Sequence, residues 1–373
     1  MAEEVRYCAC CLSDSGCKSL SHSRYAVARG ASSLARNIEA ASVSNLLRRR
    51  LSFVLPLAAV WAAFGAHAQT PPRLPRIGVL YLPPASPADA ARGFGQGLRE
   101  LGYVDGRNVV IEWRHADGQP ERLIGLANDL VLTKVDVILA GGPGPLVAAR
   151  QATTTIPIVS VGGSDPVAEG WARSLSRPGG NVTGLVVTFP EVSQKRLELL
   201  KVALPGVVRV AVLLAPGELP GVRDELLDSM EVAARGLGLQ LQVLEVRAPA
   251  DFEPALRRAR EGRAQALVTV DTGFVVSQRT VLAELAARER LPVVGEFTAF
   301  GADGLLMAYG ADLNELLKRS ASYVDRILKG ARPGEMPIER PTKLDLTVNL
   351  KVARALNITF PKSLLLQAQR IIE

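Results

Sequence analysis

From Arg76 onward the chain alternates short, continuously apolar runs with amphipathic stretches of helical period, and this alternation constrains the fold more than any other feature. Continuous apolar runs mark strands buried on both faces. Strands separated by helices pair in parallel, because a parallel pair needs a crossover long enough to hold a helix. Candidate strands fall at 77–82, 109–113, 135–140, 158–161 and 182–187. After the Phe189-Pro190 break a second series follows at 208–214, 239–246, 266–270 and 292–295, with helices expected over 218–236, 252–262 and 277–290. Two blocks of similar rhythm and length predict an α/β protein of two similar Rossmann-like lobes with parallel sheets.

Between the first two strands, Phe94, Leu98 and Leu101 share one helical face and Gly102 supplies a C-terminal cap. Gly93, Gly95 and Gly97 oppose that helix on propensity, so packing must decide it. The tail adds a helix over 313–328, a Pro/Gly-rich turn over 330–337, a strand-like 344–350 and a terminal helical pair. It is expected to cross back between lobes whose sheet edges are otherwise unsatisfied. The expected division is 76–188 plus about 297–330 for the first lobe and 189–296 plus about 331–373 for the second.

The N-terminal segment reads as an address. Arg48-Arg49-Arg50 precedes a short apolar run over 51–65, and Ala66-His67-Ala68 has the small-residue pattern of a cleavage site, so 46–68 is expected to be an export signal. Residues 1–45 are expected to be an untranslated or disordered extension, with 43, 46 or 47 as alternative starts. Cys8, Cys10, Cys11 and Cys17 lack the paired C-x-x-C spacing of a zinc site. A chain starting at Gln69 would carry no cysteine, which suits an oxidising compartment and leaves no thiol for a lipid anchor. The segment 1–68 contains eight Lys+Arg and four Asp+Glu, so the net charge of +7 falls to +3 without it, and basicity gives no argument for nucleic acid.

Val137-Ile-Leu-Ala-Gly-Gly-Pro-Gly-Pro-Leu-Val-Ala-Ala149 reads as strand, glycine-rich turn and helix, the arrangement that presents backbone N–H groups to an anion. It fails the dinucleotide fingerprint at its third glycine, and Pro143 and Pro145 remove two donors that a pyrophosphate would need. Gly162-Gly163-Ser164-Asp165-Pro166 resembles a nucleophile elbow, but Pro166 replaces the second glycine. His115 is the only histidine after Ala68 and precedes Ser164, against the hydrolase order; it is expected to be a solvated loop residue. One histidine and no cysteine after residue 68 argue against transition-metal sites, and no cofactor is expected.

What remains is a set of polar or small residues directly after the strands, where open α/β sheets bind ligands. Ser86, Gly142, Gly144, Ser164 and Asp165 are expected to hold a small molecule on the first lobe, with Asp271, Thr272, Glu296 and Phe297 closing from the second and Tyr309 behind them. Hydroxyls, helix N-terminal N–H groups and a carboxylate suit a zwitterion such as an amino acid.

Six ordered segments carry a resemblance: Gly97-Leu-Arg-Glu-Leu-Gly-Tyr-Val-Asp-Gly-Arg-Asn-Val109, Ala152-Thr-Thr-Thr-Ile-Pro-Ile158, Ser176-Arg-Pro-Gly-Gly-Asn-Val-Thr-Gly184, Lys195-Arg-Leu-Glu-Leu-Leu200, Tyr323-Val-Asp-Arg-Ile-Leu-Lys-Gly330 and Pro341-Thr-Lys-Leu-Asp-Leu-Thr-Val-Asn-Leu350. On these the chain resembles ABC-transporter substrate-binding proteins of the tryptophan/tyrosine-binding (TrpX-like) type. The resemblance implies a type I periplasmic-binding-protein architecture with a ligand cleft between lobes. It also implies a monomeric periplasmic receptor without enzymatic activity that delivers its ligand to an ABC permease in the inner membrane. A receptor feeding a sensor kinase and an exported enzyme stay open as alternatives at this point. The loops Ala140-Gly-Gly-Pro-Gly-Pro145 and Ala215-Pro-Gly-Glu-Leu-Pro220 depart from the family pattern, which usually has Thr or Ser in the first and an Asn-Pro turn in the second.

Overall fold

The computed structural model describes residues 73–85, 92–163, 165–187, 190–219, 222–270, 272–298 and 304–373. The expected export signal and the extension before it lie outside the described residues. No helix among those described is long and apolar enough to cross a membrane.

The first sheet contains, in chain order, β1 (Arg76–Tyr81), β2 (Val110–His115), β3 (Val137–Gly141), β4 (Ile158–Val161) and β5 (Val182–Leu185). Its spatial order is β2-β1-β3-β4-β5, all parallel. The central strands are the continuously apolar ones, and Val137 to Ala140 are wholly buried. Helices α1 (Gly93–Glu100), α2 (Leu123–Leu132) and α3 (Pro143–Ala152) make the crossovers, with α2 packed on α3.

The glycines of α1 have a packing reason. A side-chain carbon added at Gly97 would lie 2.5 Å from the Lys318 carbonyl oxygen and 2.8 Å from Ala321 Cβ. Both neighbours belong to the long tail helix Leu313–Leu328, and the two helices form the closest helix pair of this lobe. The propensity lost at Gly97 is exchanged for a close backbone approach.

The second sheet holds β6 (Arg209–Leu214), β7 (Gln240–Glu245), β8 (Ala266–Thr269), β9 (Val293–Gly295), β10 (Met307–Gly310), β11 (Asp345–Asn349) and β12 (Arg370–Ile372). Their order is β12-β11-β10-β9-β8-β6-β7, parallel except where β11 runs antiparallel to β10. Helices α4 (Pro190–Ala203) and α5 (Arg223–Gly236) pack together, as do α6 (Phe252–Glu261) and α8 (Arg279–Arg288), with the short α7 (Gly273–Ser277) between β8 and α8. Leu313–Leu328 is α9, and α10 (Leu350–Ala355) and α11 (Lys362–Gln367) close the chain. The expected helix over 218–236 begins only at Arg223; Glu218 lies in a separate single turn, Pro216–Glu218.

The lobe boundaries differ from the sequence expectation. Residues 297–330 were expected in the first lobe, but β10 pairs with β9 and extends the second sheet, so the chain crosses after Gly310. The apolar run Leu305 to Tyr309 is the signal for this strand. The tail also stays on the first lobe longer than the expected return near 331. Glu339 N–H donates to the Gly184 carbonyl at 2.9 Å, Thr183 Oγ1 to Met336 O at 2.9 Å and Tyr323 Oη to Pro337 O at 2.9 Å. Only then does the chain enter the second sheet at β11. One buried apolar cluster runs through the first lobe and onto the α6, α7 and α8 side of the second sheet; another fills the α4 and α5 side.

Candidate functional site

The carboxyl ends of β1 and β3 face those of β6 and β8, and between them the lobes meet along a seam in which the first lobe presents glycines. A side-chain carbon at Gly118 would lie 3.1 Å from Gln278 Nε2, and one at Gly142 would lie 3.7 Å from the Gly273 Cα. Gly142 has φ +113°, a conformation that glycine adopts without strain, and it caps the N-terminus of α3.

At Gly144 the seam is tightest: an added carbon would sit 2.8 Å from Glu218 Oε1 of the second lobe. The two prolines explain why Gly144 matters. Pro143 and Pro145 have no N–H, and Leu146 N–H is already bonded to the Gly142 carbonyl at 3.1 Å. The first turn of α3 therefore keeps one free backbone donor, Gly144 N–H, which faces the Glu218 carboxylate. The loop that resembles a phosphate cradle is filled by the protein's own carboxylate.

Glu218 is only 6% exposed. Its Oε2 accepts Phe274 N–H at 2.7 Å. Burial pushes its carboxyl above the usual range, against the weaker opposing influence of the Thr272 hydroxyl and the Phe274 and Gly144 N–H groups. Glu218 Oε1 and Thr272 Oγ1 are both buried, and neither makes a hydrogen bond of good geometry. Beside them opens a cavity of about 410 Å³, within the range of small-ligand clefts, edged by Glu121, Ile124 and Gln151 from the first lobe and Gly217 and Arg247 from the second.

Of the residues singled out from sequence, Gly142, Gly144 and Thr272 come together at this seam. Ser86, Ser164 and Asp271 lie outside the described residues. Asp165 Oδ1 accepts Val167 N–H at 2.8 Å and Ala168 N–H at 3.3 Å, so this carboxylate caps its own turn. Glu296 is in the interior of the second lobe, 1% exposed, paired with the fully buried Arg196. Phe297 belongs to the apolar core, and Tyr309 is half-buried on β10 against both clusters. His115 is not a solvated loop residue: it ends β2, stacks on Trp113 with centroids 6.1 Å apart, and its Nδ1 donates to the Pro83 carbonyl at 3.0 Å.

Two residues escaped sequence reasoning. Glu218 was hidden inside an expected helix, although its place two residues after Pro216 in a post-strand loop was a signal. Arg196 sits in one of the family-like segments, where an amphipathic helix gives no hint that its cation turns inward.

Comparisons with known proteins bear on the same architecture. A family model described as ABC transporter substrate binding protein matches residues 82–372. A tyrosine-binding protein of Clostridioides difficile (strain R20291) is 26% identical over 271 residues, covering 72% of this chain and 76% of that protein. Among solved structures, a conserved domain protein of Vibrio cholerae covers 80% of this chain and 100% of its own at 28% identity and TM-score 0.73. An ABC domain from Streptococcus pneumoniae in complex with L-Trp covers the same shares at 23% identity and TM-score 0.73. A ligand-free, open substrate-binding protein of Clostridium difficile covers 80% of this chain and 99% of its own at 24% identity and TM-score 0.56. With nearly the whole described fold matched by the family model, the chain belongs to the ABC transporter substrate-binding proteins.

Proposed function

We propose that this protein captures an aromatic amino acid between its two lobes and delivers it to an ABC permease. The observation that carries this reading is the meeting of two parallel-sheet edges at their carboxyl ends, with buried polar groups facing the seam, in a family of solute receptors. Relatives that hold tyrosine or L-Trp support the ligand class. The higher structural similarity to the L-Trp complex than to the open, ligand-free relative, at equal coverage and nearly equal identity, supports a closed lobe arrangement.

Ser86, Gly142, Ser164, Asp271 and Thr272 are the candidate ligand contacts, with Asp271 as partner of an ammonium group. The binding reaction itself requires no catalytic group. Export through cleavage after Ala68, a monomeric state and a permease partner in the inner membrane complete the reading.

The test is a thermal-shift panel of L-tyrosine, L-tryptophan, branched amino acids and small carboxylates. A ligand present at about 100 times its Kd adds roughly 2.7 kcal/mol to stability. Silence across the panel, together with no small molecule released on denaturing the purified protein, would overturn the proposal.

A further inference from the structure

The geometry points to Glu218 as the latch of lobe closure: a positioning carboxylate carried by the second lobe that seats in a notch of the first lobe and holds the two together around a ligand. This deepens the receptor reading and rests on it for the ligand.

Three observations converge on the latch. The notch exists because position 144 has no side chain, since a carbon there would come within 2.8 Å of Glu218 Oε1 and 3.2 Å of Leu123 Cδ1. The prolines on either side of Gly144 leave α3 a single free N–H, and it faces this carboxylate. The seat also buries a charge, because Glu218 is 6% exposed with no ion-pair partner among the described residues, and neither its Oε1 nor Thr272 Oγ1 makes a hydrogen bond of good geometry.

That last feature makes the latch sensitive to protons. A seated carboxylate is a buried charge with no ion-pair partner among the described residues, which is costly. On taking up one proton from solvent it becomes a neutral carboxylic acid, and the Thr272 hydroxyl can serve either form, donating to the carboxylate or accepting from the acid. Burial favours the same neutral form. When the lobes part, Glu218 is hydrated and ionises in its ordinary range. Closure therefore binds a proton and is favoured as pH falls. The charged side chains sharing the cavity are Glu121 on the first lobe and Arg247 on the second, of opposite sign; α3 contributes Gly144, Val147, Ala148 and Gln151 there, and α7 contributes Phe274.

The experiment measures small-angle scattering of the ligand-free full chain at pH 5.5 and pH 8, beside the Kd for L-tyrosine and L-tryptophan. Residues 1–72 are common to every sample, so differences between variants report the lobes. Wild type is expected to be more compact at pH 5.5, with affinity falling by up to about tenfold per pH unit between the ordinary carboxyl range and the seated carboxyl's raised one and levelling off above it. Glu218→Gln keeps an acceptor for Phe274 N–H and brings an N–H donor for Thr272, so it should be compact and bind tightly at both pH values. Gly144→Ala, which fills the notch, and Glu218→Ala should be expanded at both and bind more weakly, with melting curves showing that each is folded.

A Glu218→Gln protein that follows the wild-type pH profile, or a folded Gly144→Ala protein as compact as wild type, overturns the latch. The scattering arm needs no ligand. If neither amino acid binds, the receptor reading fails on that result while the latch is still decided by compactness.

Discussion

Arg196 and Glu296 form an ion pair in the interior of the second lobe, with Nη2 and Oε2 3.3 Å apart and side chains 0% and 1% exposed. The same guanidinium donates to the Thr269 carbonyl at 2.6 Å and the Ser193 hydroxyl at 2.8 Å, tying α4 to β8 and to the end of β9. A buried pair adds little over an apolar replacement, but a lone buried charge is expensive. Glu296→Gln is thus expected to lower stability by about 3 kcal/mol, and Arg196→Met on that background to recover part of the loss. Equilibrium denaturation of the two variants checks both. A Glu296→Gln protein of unchanged stability but lost ligand affinity would return Glu296 to the binding site.

Gly97 sets helix propensity against packing. Alanine at an interior helix position is favoured over glycine by about 1 kcal/mol. Here the added carbon meets the Lys318 carbonyl oxygen at 2.5 Å, and overpacking of this kind costs about 1–3 kcal/mol. Gly97→Ala is expected to be net destabilising, whereas Gly125→Ala in α2, with open space around the position, should be neutral or stabilising. Paired urea titrations read the two signs directly.

The contrast between these glycines shows what sequence carries and what it does not. Apolar runs such as Val137 to Ala140 announce strands because burial on both faces is written in every residue. The helix Leu313–Leu328 appears with its expected bounds for the same reason, since its apolar stripe is periodic. β10 was missed although Leu305 to Tyr309 is a continuous apolar run, because a run that short does not by itself separate a buried strand from other buried backbone, and its absence moved the lobe boundary. The site was less legible still. The partnership of Glu218 with Gly144 spans 74 positions and depends on how two lobes meet. Glu296 and Asp165 looked available because sequence shows a carboxylate after a strand but not the guanidinium or backbone N–H groups that already occupy it.

Glu218 also predicts a pH dependence of overall stability. In the unfolded chain its carboxyl titrates near 4.5, and burial raises it in the folded protein. The folded form binds that proton more tightly, so the group's stabilising share is complete below about 4.5 and is lost as pH rises through the raised value. Glu218→Gln should therefore have a higher urea midpoint than wild type at pH 8, with the gap shrinking at acid pH. A gap that grows on acidification would show that the carboxylate, not the acid, is the stable seated form.

Tyr323 joins α9 to the segment that carries the chain back to the second lobe. Its ring is 1% exposed, and Oη donates to the Pro337 carbonyl at 2.9 Å, next to the two residues whose N–H groups bond Leu175 O and Gly184 O. Burial, with the Glu339 carboxylate nearby, pushes the phenol above its ordinary range, so it stays a donor throughout the physiological interval. Tyr323→Phe keeps the ring and strands the carbonyl. Losing one buried partner of this type costs about 1–2 kcal/mol. The local consequence is more specific than the global one: amide exchange at Ile338 and Glu339 should accelerate while that of β1 and β3 slows or speeds only with overall stability. Equal acceleration at all four places would mean that Tyr323 only fills space and does not anchor the crossing segment.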